Sequence, residues 1–411
     1  TKASSSLNPD KPKDKAKLAA LEKQANVTRQ AVQRVLLLEL AHEIEAFGSP
    51  PWNDSDNEKM AELQVKFFFE EGAISQKNAN FGAPPLGTAD EGGEGGANEA
   101  WWIQRGGTSG GKDSKTYIFK PQEMEATQFV GIPQNGGSVR EVLAKSTSDS
   151  LAKYGFDLGV CPTHLVDIDT AKLGGLSDSP KGARTLGAMQ ELADNDGPVS
   201  DFVKDVTPEE QEAFKKSVDK KNFGDIAVFD MMFLNMDRHA GNLLVQKGPD
   251  GKNTLVPIAH GIGLMEPEGL SLTRQRMTGS QNVMLDGVFP SDELLDAETI
   301  ANLKSIDAKA MADELLQKQL DLEKRHPETK GKIDHDEFDR MAKRVEFMQV
   351  AADTLNVKEL FKANAVYGDE INAAKPTELP RLIAKIKTKF DAVEKASLQF
   401  EDIKEGSGGR N

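Results

Sequence analysis

The run FLNMDRHAGNLLV, residues 233–245, interrupts an apolar stretch with Asp237, Arg238, His239 and Asn242, then resumes as Leu243, Leu244 and Val245. Polar groups wedged between hydrophobic anchors describe a site held in place rather than a solvated loop. Two other segments carry complementary chemistry: PIAHG (257–261) reads as a strand ending in a glycine turn, and IFKP (118–121) sets Lys120 at the end of a strand. A strand lysine, an Asp/His/Asn loop and a ligand position at a strand end form the set that phosphoryl transfer requires. The cation neutralises phosphate oxygens, a carboxylate or imidazole orients the attacking hydroxyl, and an asparagine oxygen helps to hold Mg²⁺.

These residues need elements to position them. Two β-rich runs, 100–105 and 116–120, flank a Gly/Ser/Lys turn and predict a hairpin that carries Lys120. A helix is expected over about 138–154, opened by Ser138 with Glu141 at the capping-box spacing. CPTHLVDID (161–169) reads as a strand, whereas TLGAMQEL (185–192) is ambiguous. A helix over 207–218 has Thr207 as its cap and Pro208 at its first position. NFGDIAVFDMMFLN (222–235) predicts a largely buried helix leading into the polar loop, and 253–264 a strand running into a turn. Residues from about 292 to 400 are mostly helical in pattern. Earlier in the chain, helices are expected over 14–47 and 56–71, followed by a Gly/Pro-rich loop at 81–99. The fold class is α+β.

Bulk composition bounds the class. The 411 residues are 38% hydrophobic and 28% charged, and mean hydropathy is −0.50. No apolar run approaches the roughly 18 to 20 residues that span a bilayer, and the N-terminus has no apolar core of a secretory signal. One cysteine, Cys161, excludes an internal disulfide framework and fits a reducing, cytoplasmic compartment. A net charge of −15 argues against broad nucleic-acid binding and against an anionic membrane, save through a local basic patch.

With those pieces in order, NMDRHAGNLLV followed by TLVPIAHGIGL resembles the catalytic and metal-binding segments of the phosphatidylinositol 3-/4-kinase superfamily. The likeness is nearest to plant-type gamma phosphatidylinositol 4-kinases. IFKP and FDLGVCPTHLV match further blocks in the same order, and the resemblance covers about residues 90–270. It implies a two-lobed, protein-kinase-like fold: a tail at 1–13, a helical extension at 14–80, an N-terminal lobe at 81–190, a helix-rich C-terminal lobe at 191–400 and a tail at 401–411. It implies ATP and Mg²⁺ as cofactors, with Mn²⁺ an admissible substitute. Asp237 and His239 would act at the acceptor, Asn242 on the metal and Lys120 on the phosphates, while Arg238 braces the loop through a carboxylate. Glu141 is the candidate ion-pair partner of Lys120, with Asp149 a weaker one. MQEL (189–192), through Gln190, Glu191 and Leu192, resembles the interlobe segment that contacts adenine.

Two glycine-rich stretches compete for the phosphate loop. If 100–105 and 116–120 pair, GGTSGG (106–111) lies at the far end of the hairpin, roughly 17 Å from Lys120 at ~3.3 Å per residue. EGGEGGAN (91–98), with Gly92, Gly93, Gly95 and Gly96, is therefore expected over the phosphates. HPETKGKIDHDE (326–337) echoes an EF-hand, but His326 and Lys330 stand where oxygen ligands belong, which speaks against calcium.

One departure outweighs the matches. Where the resemblance implies a metal-binding aspartate, this chain has Ala259, and a methyl group cannot coordinate a cation. The expectation is a phosphotransferase of impaired turnover, an engineered loss and a natural pseudokinase both being compatible with that residue. The acceptor stays open between a phosphoinositide lipid, reached by peripheral membrane contact, and a protein hydroxyl. Arg274 and Arg276 are the only cations in HGIGLMEPEGLSLTRQRM.

Overall fold

The computed structural model describes residues 55, 58, 59, 63, 101–104, 116–122, 132–169, 184–235, 237–248, 251–264, 282–285 and 288–407. The helix expected over 14–47 and both glycine-rich stretches lie outside these residues. Of the helix expected over 56–71, Glu58, Lys59 and Leu63 are described and are helical.

Strands β1 (Trp101–Gln104) and β2 (Thr116–Pro121) pair antiparallel, Trp101 opposite Phe119, which is the expected hairpin. The ambiguous segment is strand β4 (Arg184–Glu191). It lies between β2 and β3 (Thr163–Asp169), so the sheet order is β1-β2-β4-β3 and every pairing is antiparallel. Strand β4 is central because it pairs on both sides, and its six consecutive buried residues, Thr185 to Gln190, leave no apolar–polar alternation to reveal it. Gly187 is required there, because a Cβ would lie 2.5 Å from the Lys120 carbonyl on β2.

Helix α1 (Gly137–Ala152) packs on β3 and β4. The expected capping box at Ser138 does not form: Gly136 is the N-cap and makes no side-chain cap bond. Ser138 Oγ instead donates to the Lys120 carbonyl at 3.3 Å, and the Glu141 carboxylate is used elsewhere. After α2 (Val199–Val203) comes α3 (Pro208–Ser217), where the box predicted at Thr207 is made: Thr207 Oγ1 accepts from the Glu210 amide and Glu210 Oε2 from the Thr207 amide.

Helix α4 (Lys220–Phe233) is buried on all sides from Phe223 onward, as its apolar run requires. Strands β5 (Leu243–Lys247) and β6 (Asn253–Pro257) form a separate hairpin, and beyond Pro257 the chain leaves the strand, as the strand running into a turn over 253–264 was expected to do. The C-terminal part is helical: α5 (Ala297–Ser305), α6 (Ala308–Arg325), α7 (Asp336–Ala351), α8 (Val357–Val366), α9 (Gly368–Ala373) and α10 (Leu379–Ser407). One apolar core runs from Val139 and Leu143 on α1 through Phe229 and Phe233 on α4 to Phe347 and Met348 on α7. The helical half thus packs directly beneath the sheet and its helix.

Gly263 marks the tightest point of that packing. A Cβ on it would sit 2.4 Å from the ring of Phe233, itself fully buried. Gly263→Ala should therefore cost about 1–3 kcal/mol, the usual price of overpacking a filled core. Gly368→Ala, where a Cβ meets nothing within 4 Å, should be close to neutral. Urea unfolding of both variants checks the difference.

Candidate active site

The polar loop begins where α4 stops. Leu234 adopts a left-handed conformation with φ of 51°, and the Asn235 amide returns to the Asp230 carbonyl at 2.9 Å. That reversal brings Arg238 back along the helix to Asp230. Its Nε and Nη2 donate to the two carboxylate oxygens, each at 2.9 Å, with both side chains fully buried. Nη1 also donates to the carbonyls of Asn242 (2.6 Å) and Ile258 (2.9 Å). A buried ion pair stands only when its remaining donors are satisfied, and here they are spent on the loop and on the end of β6. Arg238 braces the loop through a carboxylate, as expected. Asp230 was not foreseen, although a lone acid in IAVFDMMF is the trace that such a partner leaves.

The same turn carries Asp237, partly buried, His239, exposed, and Asn242, buried. Asn242 Nδ2 donates to the Asp237 carbonyl at 2.6 Å and to Asp237 Oδ2 at 3.2 Å, which directs the Asn242 carbonyl oxygen away from that carboxylate. Asn235 Oδ1 accepts from the Asp237 amide at 3.1 Å, so the aspartate is held from both sides. His239 is half-exposed. Its Nδ1 accepts from the Gly241 amide at 3.1 Å, and its Nε2 lies 4.0 Å from Asp237 Oδ2. Partial burial and the Arg238 charge hold this imidazole below its ordinary value against the opposing pull of Asp237. It is therefore neutral at pH 7, with Nε2–H on the Asp237 side.

Lys120 and Glu141 are paired at 2.6 Å and both are buried. Asp149 pairs with Lys145 and is not the partner of Lys120. Burial alone would raise the Glu141 carboxyl; the Lys120 ammonium and its hydrogen bond, together with His260, hold it below its ordinary value, so the group is ionised at neutral pH. Its second oxygen accepts from the His260 amide at 3.0 Å. The His260 ring, fully buried, contacts Arg238 Nη2 through Nδ1 at 3.3 Å and the Pro257 carbonyl through Nε2 at 3.2 Å. Because Arg238 can only donate, Nδ1 is the acceptor and the proton belongs on Nε2. Hydrogen bonds thus run unbroken from Lys120 through Glu141, His260, Arg238 and Asn242 to Asp237. A strand lysine paired with a helix glutamate is how protein kinases hold the lysine that meets ATP phosphates. Together with the helix-rich C-terminal part, this makes the chain an α+β, kinase-like fold.

Ala259 sits between Ile258 and His260 with φ of 56°. The left-handed region costs an L-residue with a Cβ roughly 1–2 kcal/mol, and aspartate, asparagine and glycine visit it most readily. The backbone here thus has the shape that suits an aspartate, while the residue present offers only a methyl group. Among the described residues no three His, Cys, Asp or Glu side chains gather to hold a metal. Asn242 supplies a neutral oxygen and position 259 none, so the donor set as it stands does not fit a tightly held Mg²⁺.

The adenine-contact expectation divides. Gln190 is buried within the sheet and donates to Thr163 Oγ1 at 3.0 Å, so its side chain is already engaged. The Glu191 amide donates to the Pro162 carbonyl. Leu192 and its neighbour Ala193 pack, half-buried, with Ala259 on a small apolar cluster of Cys161, Leu244, Val256 and Ile258. Gly92, Gly93, Gly95 and Gly96 lie outside the described residues.

Burial and the Arg238 charge depress the His260 imidazole to about 3, against the pull of Glu141. The unfolded chain, with its ordinary value of 6.5, takes up that proton first. Stability is therefore complete above pH 6.5 and is lost as pH falls towards 3. Between pH 7 and pH 5 this one residue should remove about 2 kcal/mol of unfolding free energy. Urea titrations across that window should show the decline in the parent and a flatter profile in His260→Gln, whatever that variant's stability at pH 7.

No protein-family model matches the chain. Among solved structures, a Helicobacter pylori proinflammatory kinase, CtkA, aligns with 68% of this chain and 95% of its own at 14% identity and a TM-score of 0.36. Among curated proteins, the chain is 36% identical to phosphatidylinositol 4-kinase gamma 4 of Arabidopsis thaliana over 139 residues, 32% of this chain and 22% of that one. Phosphatidylinositol 4-kinase gamma 2 of the same plant is 36% identical over 142 residues, 32% of this chain and 24% of that protein. The chain spans about a fifth to a quarter of the length of these relatives. Over about a third of its own length it is close in sequence to the gamma phosphatidylinositol 4-kinases of plants.

Proposed function

We propose that this chain is built as an ATP-dependent phosphotransferase of the phosphatidylinositol 3-/4-kinase type, with turnover impaired by Ala259. The observation that carries the reading is the continuous set of hydrogen bonds joining Lys120, Glu141, His260, Arg238, Asn242 and Asp237. Phosphoryl transfer asks a protein mainly for positioning and for stabilisation of charge on the transferred group. Lys120 would meet phosphate oxygens, its ammonium held in place by Glu141. Asp237, steadied by Asn235 and Asn242, would accept the proton of the attacking hydroxyl. The neutral His239 beside it would hydrogen-bond the same acceptor or a phosphate oxygen through Nε2. The apolar surface of Leu192 and Ala193 suits an adenine ring, and residues 91–98 would cover the phosphates. The functional division falls near residue 190, between the sheet with its helix and the helical half.

A divalent cation, Mg²⁺ or Mn²⁺, would neutralise the phosphates, but it needs an anionic ligand that position 259 lacks. Ala259→Asp should supply that ligand on a backbone already bent to accept it. In the variant, transfer of radiolabelled γ-phosphate from Mg·ATP should rise well above the parent's. Ala259→Gly should relieve the strained φ and raise stability by up to about 1 kcal/mol without restoring transfer. Placed on top of Ala259→Asp, Asp237→Asn should cut transfer by about 10²–10⁴, the usual worth of a positioned general base. If Ala259→Asp stays silent while the parent still binds ATP, the chain is a natural pseudokinase that acts by binding a partner.

The acceptor is a hydroxyl of a phosphoinositide or of a protein. The plant relatives are lipid kinases by name, which favours the lipid. The net charge of −15 opposes broad adhesion to an anionic membrane, and among the described residues no helix is long and apolar enough to cross one. A lipid substrate would then be reached by local peripheral contact from a cytoplasmic protein. Assaying Ala259→Asp on phosphatidylinositol vesicles and, separately, on cell-extract protein decides the class by which arm takes up label.

A further inference from the structure

Arg140 precedes Glu141 on α1, yet no signal in the sequence marks it. It is fully buried, and its guanidinium reaches three parts of the chain. Nε donates to the Gly263 carbonyl at 2.7 Å and Nη2 to the Leu264 carbonyl at 3.3 Å. Nη1 donates to the carbonyls of Gly136 and Lys332, each at 3.0 Å. Gly263 and Leu264 close the segment that begins at Ala259, and Lys332 lies in the turn between α6 and α7. The Lys332 side chain answers in the opposite direction, Nζ donating to the Gln134 carbonyl at 2.6 Å just ahead of α1. The other end of the helix is fastened to the same half of the molecule: Ser150 Oγ and Lys153 Nζ both donate to Glu314 on α6, at 2.9 and 2.7 Å.

We propose that Arg140 is a positioning residue, a main-chain clamp that locks α1 against residues 259–264 and the 330–334 turn, so that Glu141 is presented to Lys120 and to the His260 amide together. In protein kinases the lysine–glutamate pair must be in place for catalysis, and the position of the helix that carries the glutamate is a point of control. Here the guanidinium and the glutamate are neighbours in sequence and serve opposite ends of one contact. The helix cannot swing away without stripping a buried charge of three of the four carbonyls it donates to, those of Gly263, Leu264 and Lys332, and leaving such a charge uncompensated is costly. The turn at 330–334, which echoes a calcium loop in sequence, thereby gains a different use. Gly331, with φ of 74°, reverses the chain so that the Lys332 carbonyl faces the guanidinium, while Ile333 is buried in the core. The clamp rests on the proposed kinase function only for what the assembled site does, since its geometry is independent of any nucleotide.

Amide hydrogen exchange on the full chain tests the clamp. In Arg140→Gln the amides of residues 260–264, including the His260 amide that donates to Glu141, should exchange at least about tenfold faster. Amides in the core of α7 should stay close to the parent's rates, which separates local release from global loss of stability. Arg140→Lys, which keeps the charge but cannot span four carbonyls, should fall between the two. Gly136→Ala gives a route that leaves the arginine in place: its Cβ would come within 2.5 Å of Nη1 and should loosen the same amides. Unchanged exchange at 260–264 in these variants, or a rise shared equally with α7, would overturn the proposal. Affinity for a fluorescent ATP analogue, read without added metal, should fall about tenfold in Arg140→Gln in step with the exchange. A parent chain that binds no analogue would sink the kinase reading and leave the exchange result to decide the clamp by itself.

Discussion

A fully buried guanidinium must find a partner for each of its N–H groups, and Arg238 meets that demand by gathering three pieces of chain around itself. Asp230 neutralises it from the last turn of α4, the carbonyls of Asn242 and Ile258 close over it, and the His260 ring takes the remaining direction. The loop from 235 to 242 has little regular structure of its own; its shape is the shape that satisfies this one cation. Removing either member of a buried pair typically costs about 3–5 kcal/mol, because the other is left charged and dry. The more accessible groups, Asp237 and His239, are thereby carried on a turn whose shape is held by buried residues, Asn242 among them.

A second buried arginine repeats the device one layer away. Arg140 donates to four backbone carbonyls, and two of them, Gly263 and Leu264, lie on the segment that continues from Ile258 and His260, which Arg238 holds. Between the two stands His260, whose amide serves Glu141 and whose ring serves Arg238. It can do both only while neutral, since a charged imidazole would present a proton to the guanidinium. Burial and the adjacent positive charge enforce that state. The site is therefore assembled around two buried cations, one fixed by carbonyls and the Asp230 carboxylate and the other by carbonyls, with a neutral ring as the spacer.

Ala259 is the point at which backbone and side chain disagree. Its neighbours on both sides are buried and bonded, so the left-handed turn is imposed by the surroundings, not chosen by the alanine. Strain of this kind persists where a site needs a particular side chain to project from a particular turn. The turn has a backbone shape that suits an aspartate while the residue present offers only a methyl group, which is the physical content of the proposed impairment.

Much of this was legible beforehand, because local chemistry and pattern are written in consecutive residues. The DRHAGN loop, the strand lysine, the hairpin of 101–104 with 116–121, the capped helix at Thr207 and the bracing role of Arg238 follow from short-range spacing and from what a buried charge requires. The β4 strand did not, because a central strand buried on both faces has no alternation to reveal it. Glu141 was ambiguous for a related reason: three residues after Ser138 it satisfies a capping rule by spacing, and only the approach of β2 gives its carboxylate a stronger partner. Asp230, His260 and Arg140 act through residues as much as 192 positions away, as between Arg140 and Lys332. Residue types and their order settled which groups could do chemistry in this protein. Which of them meet was decided by the tertiary structure alone, because a buried hydrogen bond is chosen by three-dimensional proximity and by the cost of leaving a charge unpaired, and neither is encoded in sequence distance.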